Sequence, residues 1–357
     1  MNEITWKYVD GIREAMHKSM SFNESVFIFG QGVRDHKAIF GSISGLLEIF
    51  DDRIIETPIA EESITGVCLG AATNGIFPIL THIRADFGLL AMNQMINMYS
   101  KYKYMYGGQF QAPGLIRFVI GRSWGQGAQH SQSLHSILSH FPGVHVILPS
   151  NPADVYNLYT SAVKESKGPV FSFEHRLLYD LEFPRPNQPL DYETSTFREN
   201  CKPRKIRSGV DLTIVATSIM VLEAIRAADF VQDQFGISCE VFDIRSTTEI
   251  DLLDIANSLQ KTQKLVVADV SWGNFGLLGE ILRRMGVNEM IMPTKVAEVV
   301  PREVPCPTAK ELEDMYYPSL KDFVKTIGEV LGKPFPQSSL PTEKSFRDYY
   351  SKFKGPF

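Results

Sequence analysis

Short runs rich in β-branched and aromatic residues alternate with helical patterns along almost the whole chain. Six such runs in the first half lie at 26–30, 53–57, 77–83, 115–121, 144–150 and 169–175. Helical patterns between them lie at 88–104, 131–140 and 152–166. Near-continuous apolar strands separated by helices are typical of a mostly parallel sheet covered on both faces. The sequence therefore predicts an α/β fold.

The alternation stops after the sixth run and starts again some thirty residues later. Residues 180–210 are rich in proline and charge and show no periodicity, which indicates a linker. Further strand patterns lie at 211–217, 238–244, 264–270 and 295–300, and helical patterns at 221–235, 251–261, 276–285 and 318–331. We therefore expect two three-layer α/β domains with mostly parallel sheets. Their expected bounds are 1–185 and 209–335, with a linker at 186–208 and a tail at 336–357.

Composition excludes several classes of function. The chain has 357 residues and a net charge of −5, which offers no basic surface for nucleic acid or for an anionic membrane. No apolar run approaches the roughly 20 residues of a membrane span. The N-terminal residues show no apolar signal region, and the four cysteines are far apart, so we expect reduced thiols and a cytoplasmic protein. Small-molecule chemistry or interaction with protein partners is more natural for such a chain.

Candidate functional residues follow the predicted strands of the first half. Open parallel sheets bind ligands outside the carboxyl ends of their strands. Glu61 and Glu62 follow the second strand, Phe87 follows the third, and His130 lies in a glycine-rich loop after the fourth. That loop has neither a P-loop ending nor the G-x-G-x-x-G spacing. From the residues alone, helix capping by the acids and core packing by Phe87 compete with a chemical role.

Several motifs in the same order resemble one family closely, the β subunits of the E1 component of thiamine-diphosphate-dependent 2-oxo acid dehydrogenases. They include "TPIAE" (57–61), "DFGLLAMNQMIN" (86–97), "GAQHSQ" (127–132), "PVFSFEHRLLY" (169–179) and "VPCPTA" (304–309). The resemblance runs from about residue 3 to residue 331. It implies a transketolase-like pyrimidine-binding domain followed by a transketolase C-terminal-type domain.

The resemblance also implies roles for individual residues. Glu61 would hydrogen-bond N1′ of the aminopyrimidine ring of thiamine diphosphate, Ile59 would lie against the cofactor, and Phe87 would stack on the same ring. His130 would handle protons and assist acyl transfer. The second acid, Glu62, is expected to cap the helix.

A missing motif predicts the partners. Enzymes of this class hold the cofactor's diphosphate through Mg²⁺ with a G-D-G motif, which this chain lacks, so we expect no metal ligands here. The family places that motif on a separate α-type subunit, which implies an α₂β₂ assembly with a second copy of this chain. A lipoyl acyltransferase is a further possible partner.

One departure concerns the substrate. Arg84 stands just before Phe87, where relatives usually carry an uncharged residue. It is either part of an internal ion pair or, with His82, selects a substrate with an extra anionic or polar group. We expect decarboxylation of a 2-oxo acid followed by transfer of the acyl or aldehyde unit. The alternatives are a split transketolase-like enzyme that moves a ketol unit between sugar phosphates, and a non-catalytic scaffold.

Overall fold

Strands and helices alternate in a computed structural model that describes residues 5–121, 125–186 and 195–342. Part of the predicted glycine-rich loop (122–124), part of the linker (187–194) and most of the tail (343–357) lie outside the described residues. The strands are β1 (Thr5–Lys7), β2 (Val26–Gly30), β3 (Ile54–Glu56), β4 (Phe77–His82), β5 (Gly114–Ile120), β6 (His145–Ile147), β7 (Pro169–His175), β8 (Glu182–Pro184), β9 (Arg204–Arg207), β10 (Leu212–Ala216), β11 (Cys239–Asp243), β12 (Lys264–Ala268) and β13 (Lys295–Val299).

The α-helices cover the faces of the sheets. They are α1 (Tyr8–Phe22), α2 (Leu47–Phe50), α3 (Glu61–Thr73), α4 (Ala85–Gly88), α5 (Tyr102–Met105), α6 (His135–Ser139), α7 (Pro152–Glu165), α8 (Phe197–Cys201), α9 (Met220–Phe235), α10 (Leu253–Thr262), α11 (Leu277–Val287), α12 (Lys310–Tyr316) and α13 (Leu320–Leu331). No helix among the described residues is long and apolar enough to cross a membrane.

The first domain is built on a parallel sheet. Among the described residues, its strand order is β3-β2-β4-β5-β7-β6. Alternate side chains point to opposite faces, so Ile28 packs with α1 and α7, whereas Phe29 packs with α3. Both faces are apolar because both are covered by helices, which confirms the three-layer α/β fold predicted from the sequence.

The second domain repeats this plan with one difference. Its sheet has the order β13-β12-β10-β11-β9 within the described part of the chain, and β9 runs antiparallel to β11. Helices α9 and α13 cover one face, and α10 and α11 cover the other. Strands β8 and β9 and helix α8 lie inside residues 180–210, which were predicted to be irregular, so part of this segment has regular structure. Its proline and charge content concealed these three short elements.

Two helices predicted from periodicity are wrong in extent. The pattern over 88–104 forms α4, a 3₁₀ turn at Leu89–Ala91, a π-helix at Asn93–Tyr99 and α5 rather than one helix. The pattern over 131–140 forms only the five residues of α6. Some apolar positions are buried as expected, such as Met95, Ile96 and Leu138, but Leu90 and Ile137 are exposed, and the backbone hydrogen bonds do not follow a single α-helical path.

Candidate active site

The predicted site residues lie at one edge of the first sheet. Strands β3, β4 and β5 are parallel members of this sheet, so their carboxyl ends share that edge. Glu61 begins the helix that follows β3, Phe87 lies in α4 just after β4, and His130 lies in the loop after β5. Helix α3 packs against α4, which brings the first two elements together.

Glu61 is a mostly buried carboxylate at the start of α3. The residue is 8% exposed, and its carboxylate accepts no hydrogen bond from the residues that the structure describes. Only its backbone oxygen is engaged, accepting from Thr65 Oγ1 at 2.7 Å. The buried face of α3 consists of Glu61, Thr65, Cys68, Leu69 and Ala72. Burying a carboxylate with an open acceptor is costly unless a ligand fills it.

Two details of α3 differ from the sequence analysis or refine it. Apolar spacing predicts that Ile64, Val67, Cys68 and Ala71 share one buried face of the helix, which is wrong for Val67 because that side chain is 54% exposed. Glu62 is also exposed and accepts a hydrogen bond from Gln94 Nε2 at 3.0 Å. It lies in the first helical turn, where an acid stabilises the helix dipole. The two neighbouring acids therefore have different environments.

Phe87 and His130 are brought together. Their ring centroids are 5.1 Å apart with an interplanar angle of 79°, an edge-to-face contact between half-buried side chains. Ile59, on the segment before α3, is 82% exposed. The three side chains occupy the loops and the helix that form the carboxyl edge, where a ligand of a parallel sheet binds.

His82 lies inside the sheet rather than in the cleft. It is 3% exposed, its ring is stacked on Phe118 at 5.5 Å, and its Nε2 lies 3.1 Å from Thr65 Oγ1. Burial lowers the pKa of His82 to about 4, so the imidazole is neutral at pH 7. Through Thr65 it is linked to the first turn of α3, where Glu61 lies.

Arg84 is almost completely buried next to these residues. It is 3% exposed, and its Nη1 donates to the backbone oxygen of Gly121 at 3.1 Å. Burial lowers the pKa of Arg84 to about 10, and the neighbouring Tyr317 and Asp86 act in the opposite direction. The sequence analysis missed the contribution of Tyr317, which comes from the second domain. No local pattern indicates such a contact, because it joins residues more than 200 positions apart.

Asp86 and Gln132 form a second contact that the sequence analysis missed. Asp86 Oδ1 accepts hydrogen bonds from the Gln132 backbone N–H at 3.3 Å and from Nε2 at 2.8 Å. Asp86 precedes Phe87, and Gln132 follows His130 by two positions. The only signal in the sequence was that both belong to the motifs of the family resemblance.

A buried network joins the two domains beside this edge. His135, in α6, is fully buried. Its Nδ1 lies 2.9 Å from Ser133 Oγ, and its Nε2 lies 3.1 Å from Asp269 Oδ2 in the second domain. Thr217 Oγ1 donates to the other oxygen of Asp269 at 2.7 Å. These bonds fix the position of α6, which follows the loop that carries His130.

Glu174, near the end of β7, has partners for its buried carboxylate. Glu174 forms a fully buried ion pair with Arg117, with Nε–Oε1 at 2.5 Å and Nη2–Oε2 at 2.8 Å. The hydroxyls of Tyr159 and Tyr179 donate to the same carboxylate. Glu174 is therefore a structural residue within the sheet.

The donor set suits an aminopyrimidine ring better than a metal ion. Within the described part of the chain, no group of three or more His, Cys, Asp or Glu side chains is placed to hold a metal. Glu61 offers a carboxylate with open acceptor capacity, and Phe87 offers an aromatic face at the same edge. An aminopyrimidine needs one hydrogen-bonding acid and one stacking surface. These residues fit thiamine diphosphate on the pyrimidine side.

Comparisons with known proteins agree with this architecture. Residues 4–182 match the family "Transketolase, pyrimidine binding domain", and residues 202–322 match "Transketolase, C-terminal domain". A solved split-gene transketolase, described as an inactive beta4 tetramer, has a TM-score of 0.73 and 20% identity, with 94% of this chain and 100% of that chain covered. That likeness concerns the fold.

Curated relatives match over nearly their whole length. The mitochondrial pyruvate dehydrogenase E1 component subunit beta of Saccharomyces cerevisiae is 30% identical, covering 90% of this chain and 88% of that protein. The Rickettsia conorii subunit is 31% identical over 90% of this chain and 97% of its own length. The human subunit is 32% identical, with 90% and 89% covered. The chain therefore belongs to the family of pyruvate dehydrogenase E1 component β subunits.

Proposed function

We propose that this chain is the β-type subunit of a heteromeric thiamine-diphosphate enzyme that decarboxylates a 2-oxo acid and transfers the resulting acyl unit. The observation that carries the proposal is Glu61, a mostly buried carboxylate with open acceptor capacity at the carboxyl edge of the sheet. A helix-capping acid has no need of burial. An acid that hydrogen-bonds a bound cofactor ring does, because it must lie where the ring itself is enclosed.

When bound, the cofactor supplies a nucleophilic carbon and an electron sink for the loss of CO₂. Glu61 would hold the pyrimidine ring through a hydrogen bond between its carboxylate and N1′. Phe87 would stack on the same ring and exclude water from it. His130, in edge contact with Phe87, holds and moves a proton during transfer of the acyl unit. Mg²⁺ and the diphosphate are bound by the α-type partner.

Exposed apolar side chains support an assembly with other chains. Large apolar patches on a soluble protein mark interaction sites. Ile59 stays assigned to the cofactor, and further exposed apolar side chains on the elements around the proposed site are Val67, Leu89, Leu90 and Met98. We assign them to contacts with an α-type subunit that carries G-D-G and with a second copy of this chain. A lipoyl acyltransferase partner, a cytoplasmic location and the domain bounds 1–185 and 209–335 stay predictions.

Reconstitution tests this proposal. Alone, the chain is expected to bind thiamine diphosphate weakly and to be inactive, because it lacks the half of the site that holds the metal and the diphosphate. Addition of an α-type subunit with G-D-G should restore Mg²⁺-dependent decarboxylation. Calorimetry that shows tight, stoichiometric cofactor binding by this chain alone contradicts the division of the site. A tight complex without any turnover favours the scaffold alternative.

A further inference from the structure

We propose that Asp86 is a positioning residue that holds the His130 loop against Phe87. The proposal deepens the proposed function and rests on it only for the proton-transfer role of His130. Asp86 adjoins Phe87 in α4, and the residue that it binds, Gln132, is two positions from His130. The two ends of this contact therefore belong to the two elements whose rings meet at 5.1 Å.

The contact between Asp86 and Gln132 consists of two hydrogen bonds. One oxygen, Oδ1, accepts from both the backbone N–H and the side-chain amide of Gln132, at 3.3 and 2.8 Å. The backbone bond fixes the path of the chain, and the side-chain bond restrains the rotamer of Gln132. Hydrogen bonds to an ionised acceptor are stronger than neutral ones. By contrast, the bond within the loop from His130 N to Gly127 O is long, at 3.4 Å.

The second domain closes the loop from the other side. Gly125 and Gly127 have positive φ angles of +64° and +70°, which other residues rarely adopt. A Cβ at Gly125 would lie 2.5 Å from the backbone oxygen of Thr308, and one at Gly127 would lie 2.6 Å from Thr308 Oγ1. The described part of the loop is therefore held between Thr308 on one side and Asp86 on the other.

The hydrogen bonds to Gln132 alone do not require a negative charge at position 86. The residue is 8% exposed, and its second oxygen, Oδ2, accepts no hydrogen bond from the described residues. An asparagine would accept the same bonds without burying a charge, and an unsatisfied buried charge is costly. The carboxylate acts on Arg84, whose buried guanidinium it stabilises. One charge thus supports both the His130 loop and its cationic neighbour.

The first experiment uses the full chain without cofactor. Hydrogen–deuterium exchange followed by mass spectrometry should show the Gln132 amide exchanging about 10- to 100-fold faster in Asp86→Ala, because its acceptor is lost. Asp86→Asn should restore part of the protection. Gln94→Ala is the matched control: it removes another side-chain amide that donates to a carboxylate, Glu62, at 3.0 Å. It should leave exchange at Gln132 unchanged. Wild-type protection in Asp86→Ala overturns the proposal.

The second experiment separates positioning from a general structural role. In the enzyme assembled with its α-type subunit, Asp86→Ala should lower the acyl-transfer rate about 10- to 100-fold. It should leave proton exchange at the cofactor C2, which depends on Glu61, within about twofold of wild type. Equal losses in both steps overturn the proposal. Absent C2 exchange in the unmodified complex contradicts the proposed function instead, and the deuterium result still decides whether Asp86 holds the loop.

Discussion

Two buried carboxylates in the first domain show how a single residue's environment separates structure from chemistry. Glu174 is fully buried, and Arg117 and two tyrosine hydroxyls saturate its oxygens. Glu61 is almost as buried, yet its carboxylate has no donor among the described residues. The desolvation cost of Glu174 is offset inside the fold, whereas the carboxylate of Glu61 keeps acceptor capacity for a ligand.

Arg84 carries a prediction about the substrate. If the guanidinium contacts an anionic group of the substrate, Arg84→Gln should lower kcat/KM about 30-fold for substrates with an anionic tail, a loss of about 2 kcal/mol in transition-state binding. Neutral-tailed 2-oxo acids should lose much less. The measurement is kcat/KM across a panel of 2-oxo acids and ketose phosphates. Equal losses across the panel would assign Arg84 to structure, through its bond to Gly121.

For single residues, the sequence identifies candidates that stand in local motifs. It does not predict contacts between residues that are far apart along the chain. Glu61, Phe87 and His130 stand in motifs that can be recognised locally, although their chemical roles stay predictions. The pairing of Arg117 with Glu174 joins positions 57 residues apart, and it depends on β5 and β7 being neighbours in the sheet. Periodicity indicates where strands are, but it does not show which strands are neighbours in the sheet. The local sequence therefore does not predict that ion pair.

At the scale of secondary-structure elements, the sequence predicts the strands better than the helices. Every strand predicted in the first half has a counterpart in the structure, because near-continuous apolar runs leave few alternatives to a buried parallel strand. The region over 88–104 is different. Its apolar spacing fits a helix, but the π-helix at Asn93–Tyr99 widens the turn and shifts the faces of the residues that follow. Burial pattern alone does not distinguish these backbones.

Close packing of α1 on α7 gives a prediction about stability. A Cβ at Gly11 would lie 2.5 Å from the backbone oxygen of Pro152, so the first turn of α7 leaves room only for glycine. Gly11→Ala should lower the free energy of unfolding by about 1–3 kcal/mol, because the helices must move apart. Urea unfolding of the full chain measures this change.

The control for this variant is another helical glycine. Gly279, in α11, is exposed, and apart from its chain neighbours and the backbone of its own helix no described heavy atom lies within 4 Å of the position that an added methyl group would occupy. Gly279→Ala should therefore stabilise the chain by up to about 1 kcal/mol. Similar changes in the two variants would contradict the steric explanation for Gly11. They would point to helix propensity alone.

On the scale of the whole molecule, the two domains share more than the network around His135. The edge strand β6 bonds to the segment after β11: Leu148 N donates to Arg245 O at 2.9 Å, and Thr247 N donates to Val146 O at 3.1 Å. Asp154 of α7 also pairs with Arg245 at 3.3 Å. The loops of the proposed site therefore lie next to a domain interface that is held by backbone hydrogen bonds and by side-chain contacts.

A buried acid at this interface makes stability depend on pH. Asp243 accepts from Ser150 Oγ at 2.6 Å, and burial together with the charge of Asp154 raises its pKa from 3.8 to about 7. At pH values between 3.8 and about 7, Asp243 is protonated in the folded chain and ionised in the unfolded chain. The free energy of unfolding should therefore fall as pH rises from about 4 to about 7.

Asp243→Asn tests this pH dependence. The variant should remove that decline, because the amide does not titrate, whereas Asp233→Asn, at an exposed position of α9, should retain it. Urea unfolding at several pH values measures both. An unchanged pH slope in Asp243→Asn would show that other groups determine the decline.

The central claim is that Glu61, and not its neighbour, activates the cofactor. The direct measurement is hydrogen–deuterium exchange at C2 of thiamine diphosphate in the complex assembled with the α-type subunit. Glu61→Gln should slow this exchange by orders of magnitude while assembly stays intact, because only the hydrogen bond to N1′ is lost. Glu62→Gln, which alters an exposed acid bound to Gln94, should exchange as fast as wild type. Wild-type exchange in Glu61→Gln would contradict the account.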